Sequence, residues 1–162
     1  MPTDMSEKGL ETLIIESLIN DAGYELGSSK DYDREHAIDL QKLIAFISNT
    51  QPETAEYVGI TEDTPKRVKF LHRLQGEIAK RGIIDVLRSG ITDGPKSINL
   101  FYGAPSIGNK KAAEMFESNI FSVTRQLQYS QNNTMLALDL AIFINGLPLA
   151  TFELKNKLTK QT

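Results

Sequence analysis

The stretch LALDLAIFINGLPLATFELKNK, residues 136–157, decides how this chain is read. It opens with an apolar run broken once by Asp139 and turns at Asn145-Gly146. It ends by alternating Phe152 and Leu154 with Glu153 and Lys155. Asn-Gly between two apolar runs is a strong hairpin signal. Side chains two apart on a strand share a face. Glu153 and Lys155 therefore fall on one face, with Phe152 and Leu154 packing on the other. Apolar residues on both faces of 136–144 mark a central strand covered on both sides.

Working outward, SINLFYG (97–103) and IFSVTRQLQYS (120–130) read as two more strands, separated by a helix in NKKAAEMFESN (109–119). Upstream the period changes from 2 to 3.6. SEKGLETLIIESLINDAGYELG (6–27) predicts a helix capped by Ser6, striped by Leu10, Leu13, Ile14 and Leu18, and stopped at Gly23. SSKDYDRE (28–35) reads as a polar loop. AIDLQKLIAFISNT (37–50) predicts a helix striped by Leu40, Leu43, Ile44 and Ile47, and QPETAEYVG (51–59) a shorter one begun by Pro52. The longest helical pattern runs over 64–90 with a break near Gly82. The class is α/β (α+β): a helical N-terminal half, then a mixed sheet of about four strands flanked by helices. No repeat or linker divides it, so a single unit over 1–162 is expected, helical to about residue 95 and sheet-forming from about 96.

Composition narrows the function. The chain has 162 residues, 40% hydrophobic and 24% charged, and no cysteine. Disulfides, zinc-thiolate sites and cysteine nucleophiles are thereby excluded. No apolar run approaches the roughly 18 residues of a membrane span. The N-terminus has neither the basic start nor the apolar stretch of a signal peptide, so no membrane association and a cytoplasmic location are expected. The net charge of −3 is uneven. Residues 1–63 hold 14 Asp/Glu against 4 Lys/Arg, whereas 64–162 hold 7 against 14. A polyanion is repelled by the first part and attracted by the second, and the overall acidity argues against tight stand-alone DNA binding.

Three motifs compete for the chemistry. GAPSIGNKKAAEMF (103–116) nearly reproduces a phosphate-binding loop, but Asn109 stands where the lysine belongs and no Ser/Thr follows to hold Mg2+. It reads as a loop entering a helix, with no nucleotide site. His36 and His72 lie far apart in no metal-ligand spacing. That leaves Asp139, Glu153 and Lys155. Asp139 and Glu153 on apolar strands face the cost of an unpaired buried carboxylate, about several kcal/mol. A divalent cation shared by both offsets that cost, since Mg2+ takes one or two carboxylates and keeps its waters. Lys155 beside them orients a water or stabilises charge at phosphorus. The plainer alternative is a strand end with a surface ion pair.

Register decides between these alternatives. A clean two-residue turn pairs Ile144 with Leu147, hence Asp139 with Phe152, and turns Asp139 away from Glu153. A shared site requires either a three-residue loop, 145–147, or a compensating bulge.

At these residues the sequence resembles a family. LALDLAIFINGLPLATFELKN is similar to the PD-(D/E)xK nuclease motif of the N-terminal domain of the R subunit of type I restriction-modification enzymes. NIFSVTRQLQYS and SEKGLETLIIESLINDAGY resemble that family's preceding strand and opening helix. The resemblance implies a restriction-endonuclease-like core, with Asp139 and Glu153 as Mg2+ ligands and Lys155 as the catalytic lysine. It implies an auxiliary acid on the opening helix, Glu11 or Glu16, between which the sequence does not choose. It implies double-stranded DNA as substrate, and the modification and specificity subunits as partners. ATP would enter only through motor domains that this chain lacks. The family's usual QxxxY helix after ExK has no counterpart before Thr162, so an N-terminal piece of a longer subunit, weak as a nuclease by itself, is expected. Another PD-(D/E)xK repair or resolvase-type nuclease, and a non-catalytic subunit-docking module, are the rival readings.

Overall fold

The computed structural model describes residues 6–130, 132 and 136–155. Helix α1, Glu7–Asn20, is followed by the two-residue strand β1, Glu25–Leu26. A single 3-10 turn, Ser29–Asp31, leads into a small hairpin of β2, Tyr32–Asp33, and β3, Ile38–Asp39. Helices α2 (Leu40–Thr50), α3 (Pro52–Val58), α4 (Pro65–Arg81) and α5 (Ile83–Ser89) come next. A second small hairpin, β4 (Ile91–Asp93) with β5 (Lys96–Ile98), precedes α6, Lys110–Glu117. The chain then enters β6 (Phe121–Gln128), β7 (Ala137–Ile144) and β8 (Leu147–Phe152).

The main sheet has the order β1-β6-β7-β8, with β1 parallel to β6 and the other pairs antiparallel. The α/β class and the central position of β7 therefore stand. One strand assignment does not. SINLFYG contributes only its first residues, to the β4–β5 hairpin, and the fourth strand of the main sheet is Glu25–Leu26. Two residues carry no period for a sequence reading to detect. SSKDYDRE, read as a plain loop, holds the 3-10 turn and β2.

The helices begin and end where their residues dictate. Ser6 accepts from the Gly9 N–H at 3.1 Å, Asp39 from the Lys42 N–H at 3.2 Å and Asn109 from the Ala112 N–H at 3.0 Å. Gly59, at φ 64°, ends α3, and Gly82 separates α4 from α5. The stripe expected on α1 is displaced. Leu10 and Leu13 are 42% and 48% exposed, while Gly9, Glu11 and Ile15 are buried.

Three packing regions meet the sheet, one of them formed by Leu127, Ala141 and Phe143. The largest apolar cluster lies among α2–α5 and includes Leu43, Phe46, Phe70 and Leu74, with Leu147 of β8 inserted into it. A smaller one joins Ile15 of α1 to Val123 and Leu140. The Asn145-Gly146 tip binds the sheet to the helices. Asn145 (φ 52°) and Gly146 (φ 83°) take the left-handed pair that suits a two-residue hairpin. A Cβ on Gly146 would come within 2.5 Å of the Asp39 carbonyl and 2.6 Å of the Leu43 nitrogen, so only glycine fits. No helix among the described residues is long and apolar enough to cross a membrane.

Asp39 caps α2 while fully buried, and its Oδ2 has no hydrogen-bond partner. Burial raises its pKa above the ordinary 3.8, outweighing the lowering by the Lys42 N–H it caps. A carboxyl with a raised folded pKa is held more tightly as the protonated form in the folded state. Its contribution is therefore most favourable below the unfolded pKa and is lost as pH rises through the folded one. Asp39→Asn keeps a capping oxygen and removes the buried charge. In urea titrations it should be more stable than the parent at pH 7, with an advantage that shrinks as pH falls toward 4. An advantage that grows on acidification would contradict this account.

Candidate active site

The hairpin has a two-residue turn, and the compensation lies in the strand. Ile144 pairs with Leu147 and Phe143 with Pro148, but Ile142 pairs with Ala150, Ala141 with Thr151 and Leu140 with Phe152. Leu149 is the extra residue. The bulge shifts the register by one, so the register continued past the last pair sets Asp139 across from Glu153. Pro148, whose ring nitrogen cannot donate, sits on an edge strand, where this is tolerated.

Strand β8 stops at Phe152, so Glu153, Leu154 and Lys155 follow its last paired residue. Leu140 and Phe152 line an apolar cavity of about 160 Å³ together with Ile14 and Leu18 of α1. Leu154 packs into the same α1-side cluster. Alternation then turns Glu153 and Lys155 to the opposite side. Both are exposed, so the burial cost expected at Glu153 does not arise.

Asp139 is half-buried and does not lack partners. Its Oδ2 accepts from the Leu154 N–H at 2.7 Å, which fixes the segment between Glu153 and Lys155. Its Oδ1 accepts from Gln126 Nε2 at 3.3 Å. The same nitrogen donates to Glu11 Oε2 at 3.1 Å, and Glu11 Oε1 accepts from Arg125 Nε at 2.8 Å. Glu11 is buried at 5% exposure and joins this network, whereas Glu16, five residues on, is exposed. Of the two acids, α1's docking face brings Glu11 and not Glu16 into contact with Arg125 and Gln126.

Arg125 and Gln126 were not singled out by the sequence reading. The available signal was a polar pair inside the strand pattern SVTRQLQ, which by itself marks an outward face. Gln126 has φ 48° in the middle of β6, uncommon for a residue other than glycine. The pairs on either side, Arg125 with Leu140 and Leu127 with Leu138, set Gln126 across from Asp139. Val123 and Leu127 have the same parity on β6, yet pack in different clusters. The left-handed residue between them breaks the alternation.

Other candidates resolve as structure. The two histidines, far apart in sequence, approach edge to face at 5.7 Å between ring centroids. His36 Nδ1 is 2.8 Å from Asp33 Oδ2. Among the described residues, Asp33, Glu35 and His36 are the trio of acid and imidazole ligand atoms that lie within 4.8 Å of one another. Asp33 Oδ1 already accepts from the Glu35 and His36 N–H groups, so this cluster is a side-chain-capped turn. Glu11, Asp139 and Glu153 do not form so tight a trio. The glycine loop at 103–108 leads into α6 through the Asn109 cap, as a loop entering a helix should.

Comparison with known proteins shows the family. A family model described as the type I restriction enzyme R protein N terminus matches residues 4–162. The chain belongs to that family. Its α/β fold with a mixed four-stranded sheet and flanking helices fits a restriction-endonuclease-like domain of such R proteins. No curated protein and no solved structure matches the chain.

The contrast between the two opening-helix acids is measurable. Glu11→Ala removes the acceptor of Arg125 Nε and leaves Gln126 Nε2 with Asp139 alone, and should cost about 1–3 kcal/mol. Glu16→Ala should stay within about 0.5 kcal/mol of the parent. Equal effects in urea titration would remove Glu11 from the network.

Proposed function

We propose that residues 1–162 form the Mg2+-dependent endonuclease domain of a type I restriction R subunit, acting on phosphodiesters of double-stranded DNA. The observation that carries this reading is the bulge at Leu149. It costs the hairpin a regular ladder, and its effect is to bring Asp139 opposite Glu153 with Lys155 on the Glu153 side. A strand merely leaving the core has no need of that correction.

The donor set suits the ion. Two carboxylates from neighbouring chain segments, one half-buried and one exposed, match the preference of Mg2+ for one or two carboxylates with the remaining positions left to water. Asp139 and Glu153 would hold it, and Glu11 is the auxiliary acid beside Asp139. The chemistry such an ion supplies when bound is charge neutralisation at the phosphodiester and a more acidic water. The residues themselves do the positioning. Asp139 is oriented by the Leu154 N–H and by Gln126. The Lys155 ammonium, with three N–H donors and no lone pair to give a metal, stabilises charge developing on the phosphoryl oxygens and orients the attacking water.

Recognition of sequence, methylation and ATP-driven translocation fall to other domains and to the modification and specificity subunits. The acidic first third of this chain suits that division, since DNA is delivered by the complex and need not be captured by the domain alone. A cytoplasmic location follows from the substrate.

In the full R subunit assembled with its partners, Asp139→Ala, Glu153→Ala and Lys155→Ala should each abolish plasmid cleavage while ATP hydrolysis continues. Lys155→Ala should retain metal binding, and Asp139→Ala/Lys155→Ala should be scarcely worse than either single change. Cleavage and ATPase rates measured side by side decide it. Cutting retained by Asp139→Ala or Lys155→Ala would leave the domain as a subunit-docking module.

A further inference from the structure

The side chain of Gln126 is where the two least ordinary features of the sheet coincide. Its backbone is left-handed inside a strand, and its amide nitrogen sits between two acids, 3.1 Å from Glu11 Oε2 and 3.3 Å from Asp139 Oδ1. The nitrogen must be the atom in that place, because an amide oxygen there would face two acceptors. An NH2 group has two hydrogens, so it serves both carboxylates at once and holds α1 and β7 to one separation.

A regular β6 would leave this side chain on the face of its cross-strand neighbour Asp139 and away from Glu11. With the usual alternation, the position between Arg125 and Leu127 lies on the face away from α1, where Arg125 meets Glu11. The left-handed turn of the backbone brings Gln126 toward Glu11 while its amide still reaches Asp139. Strain of this kind persists where the surrounding structure over-determines it, and it collects at functional sites. The same left-handed residue also turns Leu127 to the other face of the sheet, where it is buried beside Ala141 and Phe143, so the irregularity serves the core and the acid network together.

We propose that Gln126 is a positioning residue for a divalent cation, fixing the orientation of Asp139 and tying Glu11 to it, with its strained backbone as the means. The proposal rests on the reading of Asp139 and Glu153 as ligands. Each carboxylate oxygen that accepts from Gln126 keeps a second lone pair, so the amide can orient a ligand without displacing an ion. Outer-shell hydrogen bonds of this sort commonly account for ten- to a hundredfold in metal affinity.

The test is Mn2+ binding to the chain, followed by electron paramagnetic resonance, together with the thermal unfolding midpoint. Asp139→Ala serves as the reference for this site, since the Asp33, Glu35 and His36 cluster offers Mn2+ another place. Gln126→Gly relieves the left-handed residue and removes the amide. It should shift the midpoint by less than Glu11→Ala does, relief of the strain offsetting the lost amide contacts, and weaken the Asp139-dependent Mn2+ site roughly ten- to a hundredfold. Gln126→Asn tolerates the same backbone but is one methylene too short to span both acids, and it should weaken binding similarly. It also decides the matter if the glycine variant does not fold. A site within twofold of the parent in both variants, or tighter, would overturn the role of Gln126 while leaving the ligands standing. If the parent binds no Mn2+ that Asp139→Ala abolishes, the ligand reading itself fails, and this proposal with it.

Discussion

The carboxamide of Asn145 holds the two halves of the fold together. It is fully buried at the tip of the central hairpin, where an unsatisfied amide would cost about 1–3 kcal/mol per lost partner. Every group on it is used. The Asn145 N–H donates to the Ile120 carbonyl at 2.7 Å, and Oδ1 accepts from the Ile120 N–H at 2.6 Å. Nδ2 donates to the Leu100 carbonyl at 2.9 Å and to Asn119 Oδ1 at 3.1 Å. Asn119 in turn donates to the Tyr102 and Phe116 carbonyls. The hairpin tip thus clamps the end of α6, the start of β6 and the segment after β5. On its other side, the Gly146 carbonyl accepts from the Asp39 N–H at 2.8 Å, which sets the start of α2.

That clamp explains why the register correction lies inside β8. With Asn145-Gly146 pinned on both sides, the loop has no freedom to take a third residue. The one-residue shift that brings Asp139 opposite Glu153 must be absorbed further along, and Leu149 absorbs it. Leu149 still packs against the large helical core, so the bulge loses ladder regularity but little apolar burial. The irregular residue of β6, Gln126, lies across from Asp139 on its other flank. Central strand β7 is regular where it crosses the core and has a distorted neighbour on each side. Both distortions bear on Asp139.

How much of this was legible in the sequence follows from the range of the forces involved. The cap at Ser6, the helix start at Pro52, the break at Gly82 and the Asn-Gly hairpin are set by residues within a turn of one another, and they occur where the local chemistry puts them. The need for a bulge was also legible, because a period of 2 makes a register conflict countable. Which device would resolve it was not, since the choice depends on Ile120, Leu100 and Asn119 gripping the turn from far along the chain. Strand β1 escaped notice for the same reason: two residues with no apolar pattern become a strand only because β6 offers an edge. The site was read at Asp139, Glu153 and Lys155, where the spacing is local. It was missed at Arg125 and Gln126, whose importance exists only once α1 is docked.

Helix α1 shows what that docking costs. At 3.6 residues per turn, Glu11 and Ile15 share a face, as do Ile15 and Leu18, whereas Leu10 and Leu13 fall toward another. A helix oriented by hydrophobic burial alone would turn Leu10 and Leu13 inward. The observed rotation leaves these two leucines largely in solvent and buries a carboxylate, which is unfavourable in transfer terms unless the acid is paired. Arg125 and Gln126 provide that pairing with one hydrogen bond each, and Gln126 extends it across the junction to Asp139. The orientation of the opening helix is therefore set by the acid network of the candidate site as much as by the core. Packing of α1 against Val123 and Leu140 and assembly of Glu11 beside Asp139 are one event, and a change that weakens either should be felt in both.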